Sequence, residues 1–216
     1  MGAATPPGPH TDAALRQQLK DLVRTPGGPP GVIAVLQDGR SSRVVRAGVA
    51  NLATGRRPHI DDHMRIASTA KAFSGAVALS LVDRRYLSLD DTLRERLPRL
   101  PRAWGAVTLR QLLNHTSGLP DYSRAPAFLN ILMANPRHHF DSRRLLDYVA
   151  GQPLRFRPGS RYKYSNSDNI AVALMAEAVT RVPYERLLEE LVYRPLGLRQ
   201  TSLPQGYRMP RPYLHG

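Results

Sequence analysis

The feature that most constrains the fold is a pair of strand-like runs near the N-terminus. Residues 31–56 (GVIAVLQDGRSSRVVRAGVANLATGR) contain two runs rich in valine and isoleucine, on either side of Asp38 and Gly39. Short β-branched runs flanking Asp-Gly predict an antiparallel hairpin. A two-stranded hairpin is only marginally stable by itself in water. We therefore expect an α+β fold in which these strands belong to a larger antiparallel sheet. The rest of the sequence contains too few strand-like runs to complete that sheet.

The remaining sequence is dominated by helical periodicity. Thr108 and Gln111 form a capping box, and Gly118 followed by Pro120 is expected to end that helix. Apolar residues recur at helical spacing in residues 11–23 (with Thr11 or Asp12 as cap), 68–85, 108–118, 141–150, 167–182 and 183–198. We expect a disordered proline- and glycine-rich tail at residues 1–10, the first helix and two strands at 11–66, and a mainly helical lobe at 67–216.

The formal net charge of +14 is carried mainly by arginine, since only three of the 31 basic residues are lysines. The arginines are scattered among apolar periodic segments, and no zinc-finger or RNP-type motif is present. We therefore expect no nucleic-acid partner and attribute the charge to a solvated basic surface. A salt-dependent attraction to anionic cell-surface polymers is the alternative that this charge leaves open.

The absence of cysteine and of long apolar runs excludes several kinds of site. Disulfides and thiolate metal ligands are excluded because the sequence has no cysteine. His138 and His139 have no further metal-ligating residue at a recognisable spacing, so we expect no metal and no cofactor. The longest clean apolar run, residues 32–36 (VIAVL), is too short to span a membrane, and residues 1–10 lack the pattern of a signal sequence.

Residues 68–71 (STAK) match an S-x-x-K motif at the start of a predicted helix. Residues three apart share a helix face, so the amine of Lys71 can reach the hydroxyl of Ser68. A serine becomes a good nucleophile when a neighbouring base takes its proton. Lysine can serve as that base where burial and a helix N-terminus disfavour its charge, whereas arginine keeps its proton in proteins. The motif therefore indicates nucleophilic chemistry at Ser68.

A second S-x-x-K copy and a Y-x-N motif lie close together further along the chain. Residues 160–163 (SRYK) follow a predicted Pro-Gly turn rather than a helix start, so we interpret this copy as a chance match. Residues 164–166 (YSN) supply a tyrosine oxygen that can carry a proton and an amide that can hold a substrate carbonyl. Alone, Y-x-N is equally typical of a packed tyrosine and a capping asparagine, so its weight comes from the combination with Ser68 and Lys71.

Taken together, these segments resemble the serine β-lactamase-related family of penicillin-recognising enzymes. The similarity lies in residues 64–91, 107–123 and 155–204 and extends from about Gly31 to Leu203. The motifs S-x-x-K, L-L-N-H-T-S-G-L, P-G-x-x-x-x-Y-S-N and P-L-G-L in this order are jointly specific. The resemblance is to class C β-lactamases, D-alanyl-D-alanine carboxypeptidases and related esterases. It implies a β-lactamase/transpeptidase-like fold, with a helical lobe beside an antiparallel sheet.

The resemblance also implies roles for individual residues. Ser68 would be the acylated nucleophile, and Lys71 its proton acceptor or electrostatic partner. Tyr164 would be a general base and acid, and Asn166 would hydrogen-bond the substrate amide. The backbone N–H of Ser68 would supply half of an oxyanion hole. Which of Lys71 and Tyr164 takes the first proton stays open, and His115 is expected to have a packing role at a helix end.

The family's third motif, K-T-G or H-x-G, is absent from the 216 residues. The resemblance implies that the part of the family's chain that contains this motif carries the remaining sheet strands, the second oxyanion donor and the cationic or polar group that holds a substrate carboxylate. We therefore expect a C-terminally truncated serine hydrolase with weak or no activity. The substrates would be D-Ala-D-Ala peptides, β-lactams or small esters, and the reaction would pass through an acyl-enzyme on Ser68. The alternative is a non-catalytic binding or regulatory remnant of the same fold. The resemblance implies an extracytoplasmic location, and the sequence predicts no oligomeric state.

Overall fold

A computed structural model of the chain describes residues 12–204 and 206–214. The described residues divide into two compact units, one formed by residues 12–65 with 209–214 and the other by residues 66–208. The tail predicted at residues 1–10 and the predicted cap Thr11 lie outside the described residues. Within the described ranges, no helix combines the length and the apolar character that crossing a membrane requires.

The first unit is a helix packed on a hairpin. Its elements are α1 (Asp12–Arg24), β1 (Gly31–Asp38) and β2 (Ser41–Gly48). The two strands pair in antiparallel register from Gly31 opposite Gly48 to Asp38 opposite Ser41, which confirms the predicted hairpin. Gly39, with a φ of 54°, lies in the turn, where the left-handed region favours glycine.

A small apolar core joins the helix and the hairpin. Leu19 of α1 is buried against Val45 and Ala47 of β2. Burying a side chain of this size stabilises a protein by about 1.5–3 kcal/mol. This cluster is small, because the hairpin presents few inward-facing side chains to a single helix.

The C-terminal segment groups with the first unit, whereas the sequence-based boundary placed it in the helical lobe. The backbone N–H of His63 donates to the Pro212 carbonyl (2.8 Å), and that of Leu214 donates to the His63 carbonyl (3.0 Å). These bonds form a short parallel bridge between His63 and Tyr213. Such backbone pairing between distant segments needs no side-chain periodicity, so the sequence pattern does not reveal it.

The second unit is built from short helices. Its α-helices are α2 (Ala70–Asp83), α3 (Leu93–Arg96), α4 (Leu109–Leu113), α5 (Pro126–Ala134), α6 (Asn166–Thr180) and α7 (Tyr184–Leu188). Its 3-10 turns are Ala67–Thr69, Arg102–Trp104, Tyr122–Arg124 and Ser142–Val149, and a π-helical turn, Glu189–Tyr193, continues α7. These helices, together with the hairpin, confirm the predicted α+β class.

The helix α6 runs through the core of the second unit. Its residues Ala171 and Met175 are fully buried and pack among side chains from α2, α4 and α7. Val77 of α2 and Leu112 of α4 belong to the same cluster. Because α2 and α6 pack against each other, their N-terminal ends are held at fixed positions within the unit.

Two of the predicted helices differ in the structure. The capping box of Thr108 and Gln111 is present, but α4 ends at Leu113, so the prediction that Gly118 ends this helix is wrong. His115, with a φ of 58°, takes the left-handed conformation that ends the helical path. The segment predicted as a helix at 141–150 is a 3-10 helix, Ser142–Val149. Periodicity alone separates these two helix types poorly.

Candidate active site

Ser68 lies in the short 3-10 turn Ala67–Thr69 that leads into α2. Its side chain is exposed, so the hydroxyl is open to a reagent. Ala67, the residue before it, has a φ of 45°. The left-handed region costs a non-glycine residue roughly 1–2 kcal/mol. Strained positions of this kind persist only where the surrounding structure holds them, and they cluster at active sites.

Lys71 lies one helical turn after Ser68 and bridges two parts of the site. Its Nζ donates to Ser68 Oγ (3.3 Å) and to Asn166 Oδ1 (2.9 Å). The first distance agrees with the reach predicted across one turn of helix. Through the second bond, the amine connects the start of α2 with the start of α6.

Tyr164 approaches Ser68 from the irregular segment just before α6. Its Oη lies 2.9 Å from Ser68 Oγ, and it donates to Asn166 Oδ1 (3.3 Å). Burial raises the pKa of Tyr164. The hydrogen bonds with Lys71 and Ser68 and the charge of Lys71 together lower this pKa by more than burial raises it, so the net pKa is below the ordinary value. This phenol therefore gives up its proton more readily than a solvated tyrosine.

Asn166 links the site to the turn that precedes α5. Its Nδ2 donates to Ser123 Oγ (2.9 Å) and to Asp121 Oδ2 (3.3 Å). The amide is therefore held at both ends, with its oxygen turned towards Lys71. Sequence reasoning missed Asp121 and Ser123. The signal that could have found them is D-x-S, a local capping pattern in which Asp121 accepts a hydrogen bond from the Ser123 N–H.

A second polar network lies against Tyr164 and was not predicted either. His115 Nδ1 is 2.7 Å from Asp168 Oδ2, and Ser117 Oγ donates to Asp168 Oδ1. Asp168 is completely buried, which raises its pKa despite the hydrogen bonds from His115 and Ser117. The His115 ring also lies 4.6 Å from the Tyr164 ring, centroid to centroid, at an angle of 44°. His115 thus combines ring packing with a hydrogen bond to a buried carboxylate.

The second S-x-x-K copy has different surroundings. Ser160 Oγ donates to the Arg157 carbonyl (2.7 Å) within a turn. Lys163 is exposed, and its backbone N–H donates to the His115 carbonyl (2.9 Å). These local contacts agree with the interpretation of residues 160–163 as a chance match.

His138, the first of the two consecutive histidines, lies beside an aromatic cluster. The His138 ring packs edge-on against Phe140, with 4.7 Å between centroids. Among the residues that the structure describes, no three histidine, aspartate or glutamate side chains are grouped so that they could hold a metal ion.

Comparison with known proteins identifies the relatives of the chain. The profile of the family described as Beta-lactamase matches residues 15–216. The D-alanyl-D-alanine-carboxypeptidase/endopeptidase AmpH of Escherichia coli (strain K12) is 32% identical over 202 residues, which cover 90% of this chain and 50% of AmpH. A D-aminopeptidase of Brucella anthropi is 32% identical over 195 residues, covering 88% of this chain and 36% of that protein. The chain therefore spans half or less of the length of these two relatives.

Solved structures show the same architecture. A D-stereospecific amidohydrolase from Streptomyces sp. superposes with a TM-score of 0.83 at 31% identity, covering 94% of this chain and 60% of that chain. A D-amino acid amidase from Ochrobactrum anthropi SV3, complexed with L-phenylalanine amide, gives a TM-score of 0.79 at 25% identity, covering 95% and 57%. These structures confirm the β-lactamase/transpeptidase-like fold. Since the family profile spans nearly all of the sequence, the chain belongs to the Beta-lactamase family, a family of serine hydrolases.

Proposed function

We propose that Ser68 is the nucleophile of an acyl-transfer site, with Tyr164 and Lys71 as its proton-handling partners. The observation that carries this proposal is the convergence of Tyr164 Oη (2.9 Å) and Lys71 Nζ (3.3 Å) on Ser68 Oγ. A serine activated by adjacent polar groups is the arrangement that covalent catalysis requires.

The chemical step follows from these contacts. Ser68 Oγ forms a bond to the substrate carbonyl carbon while its proton moves to a neighbouring acceptor. The lowered pKa of Tyr164 and the two hydrogen bonds donated by Lys71 favour Tyr164 as that acceptor. The bond from carbon to the leaving group then breaks, and the same proton passes to the leaving nitrogen or oxygen. A water molecule then hydrolyses the acyl-enzyme, and the proton transfers of this second step run in the reverse order.

Two further groups hold the reacting carbonyl in this proposal. Asn166 hydrogen-bonds the substrate amide, supported by Ser123 and Asp121 behind it. The backbone N–H of Ser68 donates to the developing oxyanion. Such a donor commonly contributes about 10²–10³-fold in rate.

The substrates we propose are D-Ala-D-Ala peptides, β-lactams or small esters. The names of the relatives, a D-alanyl-D-alanine-carboxypeptidase/endopeptidase, a D-aminopeptidase and a D-stereospecific amidohydrolase, favour an amide beside a D-residue. We also infer, from the family resemblance, that this activity operates outside the cytoplasm. Because the K-T-G or H-x-G motif is absent from the 216 residues, we expect the isolated chain to turn substrate over weakly or not at all.

Intact-mass measurement after incubation with a fluorophosphonate or with penicillin tests this proposal. We expect one adduct, located on Ser68 by peptide mapping, and its loss in Ser68→Ala. Ser160→Ala is the matched control, since Ser160 is the serine of the second S-x-x-K copy, and we expect it to be labelled normally. Absence of any adduct from the unmodified chain would instead support a non-catalytic remnant of the fold. Labelling that persists in Ser68→Ala at full stoichiometry would contradict the assignment.

A further inference from the structure

The segment that carries Tyr164 has no regular secondary structure to orient its side chain. Residues 162–165 belong to no helix or strand and precede the first turn of α6, and only Ser165, its N-cap, is shown with an extended backbone (φ −142°, ψ 130°). Tyr164 is 38% exposed, so neighbouring side chains enclose it only partly. A proton acceptor must nevertheless be held to within a fraction of an ångström to work efficiently. The contacts that fix the phenol ring therefore matter for the chemistry proposed above.

His115 touches this segment in two ways. Its carbonyl accepts the N–H of Lys163 (2.9 Å), the residue immediately before Tyr164. Its imidazole lies 4.6 Å from the Tyr164 ring. Neighbouring backbone bonds extend the support, since Gly159 N–H donates to the Thr116 carbonyl (2.8 Å) and Arg155 N–H to the Gly118 carbonyl (2.8 Å).

The imidazole is itself held by the buried carboxyl group of Asp168. Asp168 Oδ2 lies 2.7 Å from His115 Nδ1, and its other oxygen accepts from Ser117 Oγ. Burying a carboxylate without partners is costly, and here both oxygens have a side-chain donor. The position of Asp168 in the first turn of α6 also favours an anion, because the N-terminal end of a helix carries partial positive charge. The carboxylate therefore fixes the orientation of the ring.

We propose that His115, held by the buried carboxylate of Asp168, is a positioning residue that keeps the phenol of Tyr164 against Ser68. The inference rests on the proposed function, in which Tyr164 exchanges a proton with Ser68. His115 acts through Tyr164 and touches no reacting atom. The packing role expected from the sequence is thereby given a specific target, the ring of Tyr164.

The variant His115→Asn isolates the ring contact. Asparagine tolerates the left-handed backbone of this position (φ 58°), and its amide can still donate to Asp168. We expect thermal stability close to that of the unmodified chain. If His115→Asn does not fold, His115→Gln, which also keeps an amide donor, takes its place.

The first readout is the titration of Tyr164, which does not require activity. The near-ultraviolet absorbance of its phenolate is obtained by subtracting the matching Tyr164→Phe protein. The charged or titratable groups around this phenol are Lys71, Asp121, Tyr122 and His115. We expect His115→Asn to raise the pKa of Tyr164 towards the ordinary tyrosine value. Without the imidazole, the phenol ring of Tyr164 moves away from Lys71 and Ser68, the contacts that lower its pKa.

The second readout is the rate of fluorophosphonate labelling. We expect His115→Asn to slow labelling about 10- to 100-fold at saturating probe, with the labelled fraction at completion unchanged. A purely structural role would instead reduce the labelled fraction and leave the rate of the folded molecules intact. In the Tyr164→Phe background, His115→Asn should give no further slowing.

Tyr162→Leu is the matched control, because it removes the other ring that meets His115 edge-on (6.1 Å) and leaves Tyr164 in place. We expect it to change neither readout. An unshifted Tyr164 titration in His115→Asn, or an equal shift in Tyr162→Leu, would overturn the inference. If the unmodified chain is not labelled at all, the proposed function fails, and the titration still decides whether His115 positions Tyr164.

Discussion

Tyr164 Oη lies 2.9 Å from Ser68 Oγ, although 96 positions separate the two residues in the chain. The contact exists because Ser68 lies in the 3-10 turn just before α2 and Tyr164 lies just before α6, and these two helices pack together in the core of the second unit. A pair of hydroxyls brought together in this way can pass one proton between them.

Replacing Lys71 by arginine keeps the positive charge but removes a compact ammonium that donates to both Ser68 and Asn166. We expect Lys71→Arg to slow fluorophosphonate labelling of Ser68 at least about 100-fold. Lys163→Arg, in the exposed second S-x-x-K copy, should label at the normal rate. Time courses of adduct formation by intact mass measure both. Normal labelling of Lys71→Arg would show that the identity of the cation does not matter.

The lowered pKa of Tyr164 predicts the pH dependence of labelling. The phenolate is the form that accepts a proton, so the rate should rise with pH through the pKa of Tyr164 and level off below the ordinary tyrosine value of about 10. Tyr164→Phe should be slower by about 100-fold and should lack this rise. Tyr162→Phe, whose phenol is mostly exposed, should keep it. The rise would have to be assigned to another group if it persisted in Tyr164→Phe.

The buried carboxylate of Asp62 in the first unit predicts a pH-dependent stability. Burial raises the pKa of Asp62. The hydrogen bonds from the His59 N–H and from Arg56 lower this pKa by more than burial raises it, so the net pKa is below the ordinary value. A carboxyl group with a lowered folded pKa stabilises the protein above its unfolded pKa of about 3.9 and loses that contribution as pH falls through the folded value. We therefore expect Asp62→Asn to lower the free energy of unfolding by about 1–3 kcal/mol at neutral pH.

Urea denaturation at neutral pH and at pH values below the folded pKa measures this effect. The difference between Asp62→Asn and the unmodified chain should shrink as the pH falls. Asp61→Asn is the control, since the neighbouring Asp61 is 60% exposed and should be close to neutral in effect. A difference that stays constant with pH would show that lost packing, rather than lost charge, causes the destabilisation.

The capping box of α4 predicts a local stability cost. Thr108 Oγ1 accepts the Gln111 N–H (3.3 Å), and Gln111 Oε1 accepts the Thr108 N–H (3.0 Å). Thr108→Ala leaves an N-terminal backbone donor of the helix without its partner, so we expect a loss of about 1 kcal/mol. Thr201→Ala, outside any helix, is the control and should be nearly neutral. A loss of similar size in Thr201→Ala would point to a general effect of removing threonine rather than to the cap.

Local patterns of the sequence predicted much of the fold. The hairpin around Gly39 and the capping box at Thr108 depend on neighbouring residues alone, and both are present. The reach from Lys71 to Ser68 is equally local, because it spans one turn of a helix. Asn166 and Tyr164 were associated with Ser68 through the motif combination and the family resemblance, because no local rule connects residues so far apart.

Other features depended on contacts that periodicity does not encode. The end of α4 is decided at His115, whose left-handed backbone accompanies hydrogen bonds to Lys163 and Asp168. The grouping of residues 209–214 with the first unit depends on backbone bonds to His63. Asp121 and Ser123 accept hydrogen bonds from Asn166 because tertiary packing brings their turn to the start of α6.

By itself, the sequence determined where the hairpin and several of the helices begin and which serine stands one turn before a lysine, because these are matters of short-range sterics and hydrogen bonding. Only the tertiary structure decided that the phenol of Tyr164 meets Ser68 and that the imidazole of His115 meets Tyr164. It also decided that the carboxyl group of Asp168 is completely buried, although its sequence position resembles an ordinary helix start. The physical reason is that burial, and the energies that follow from it, depend on which helix faces pack together.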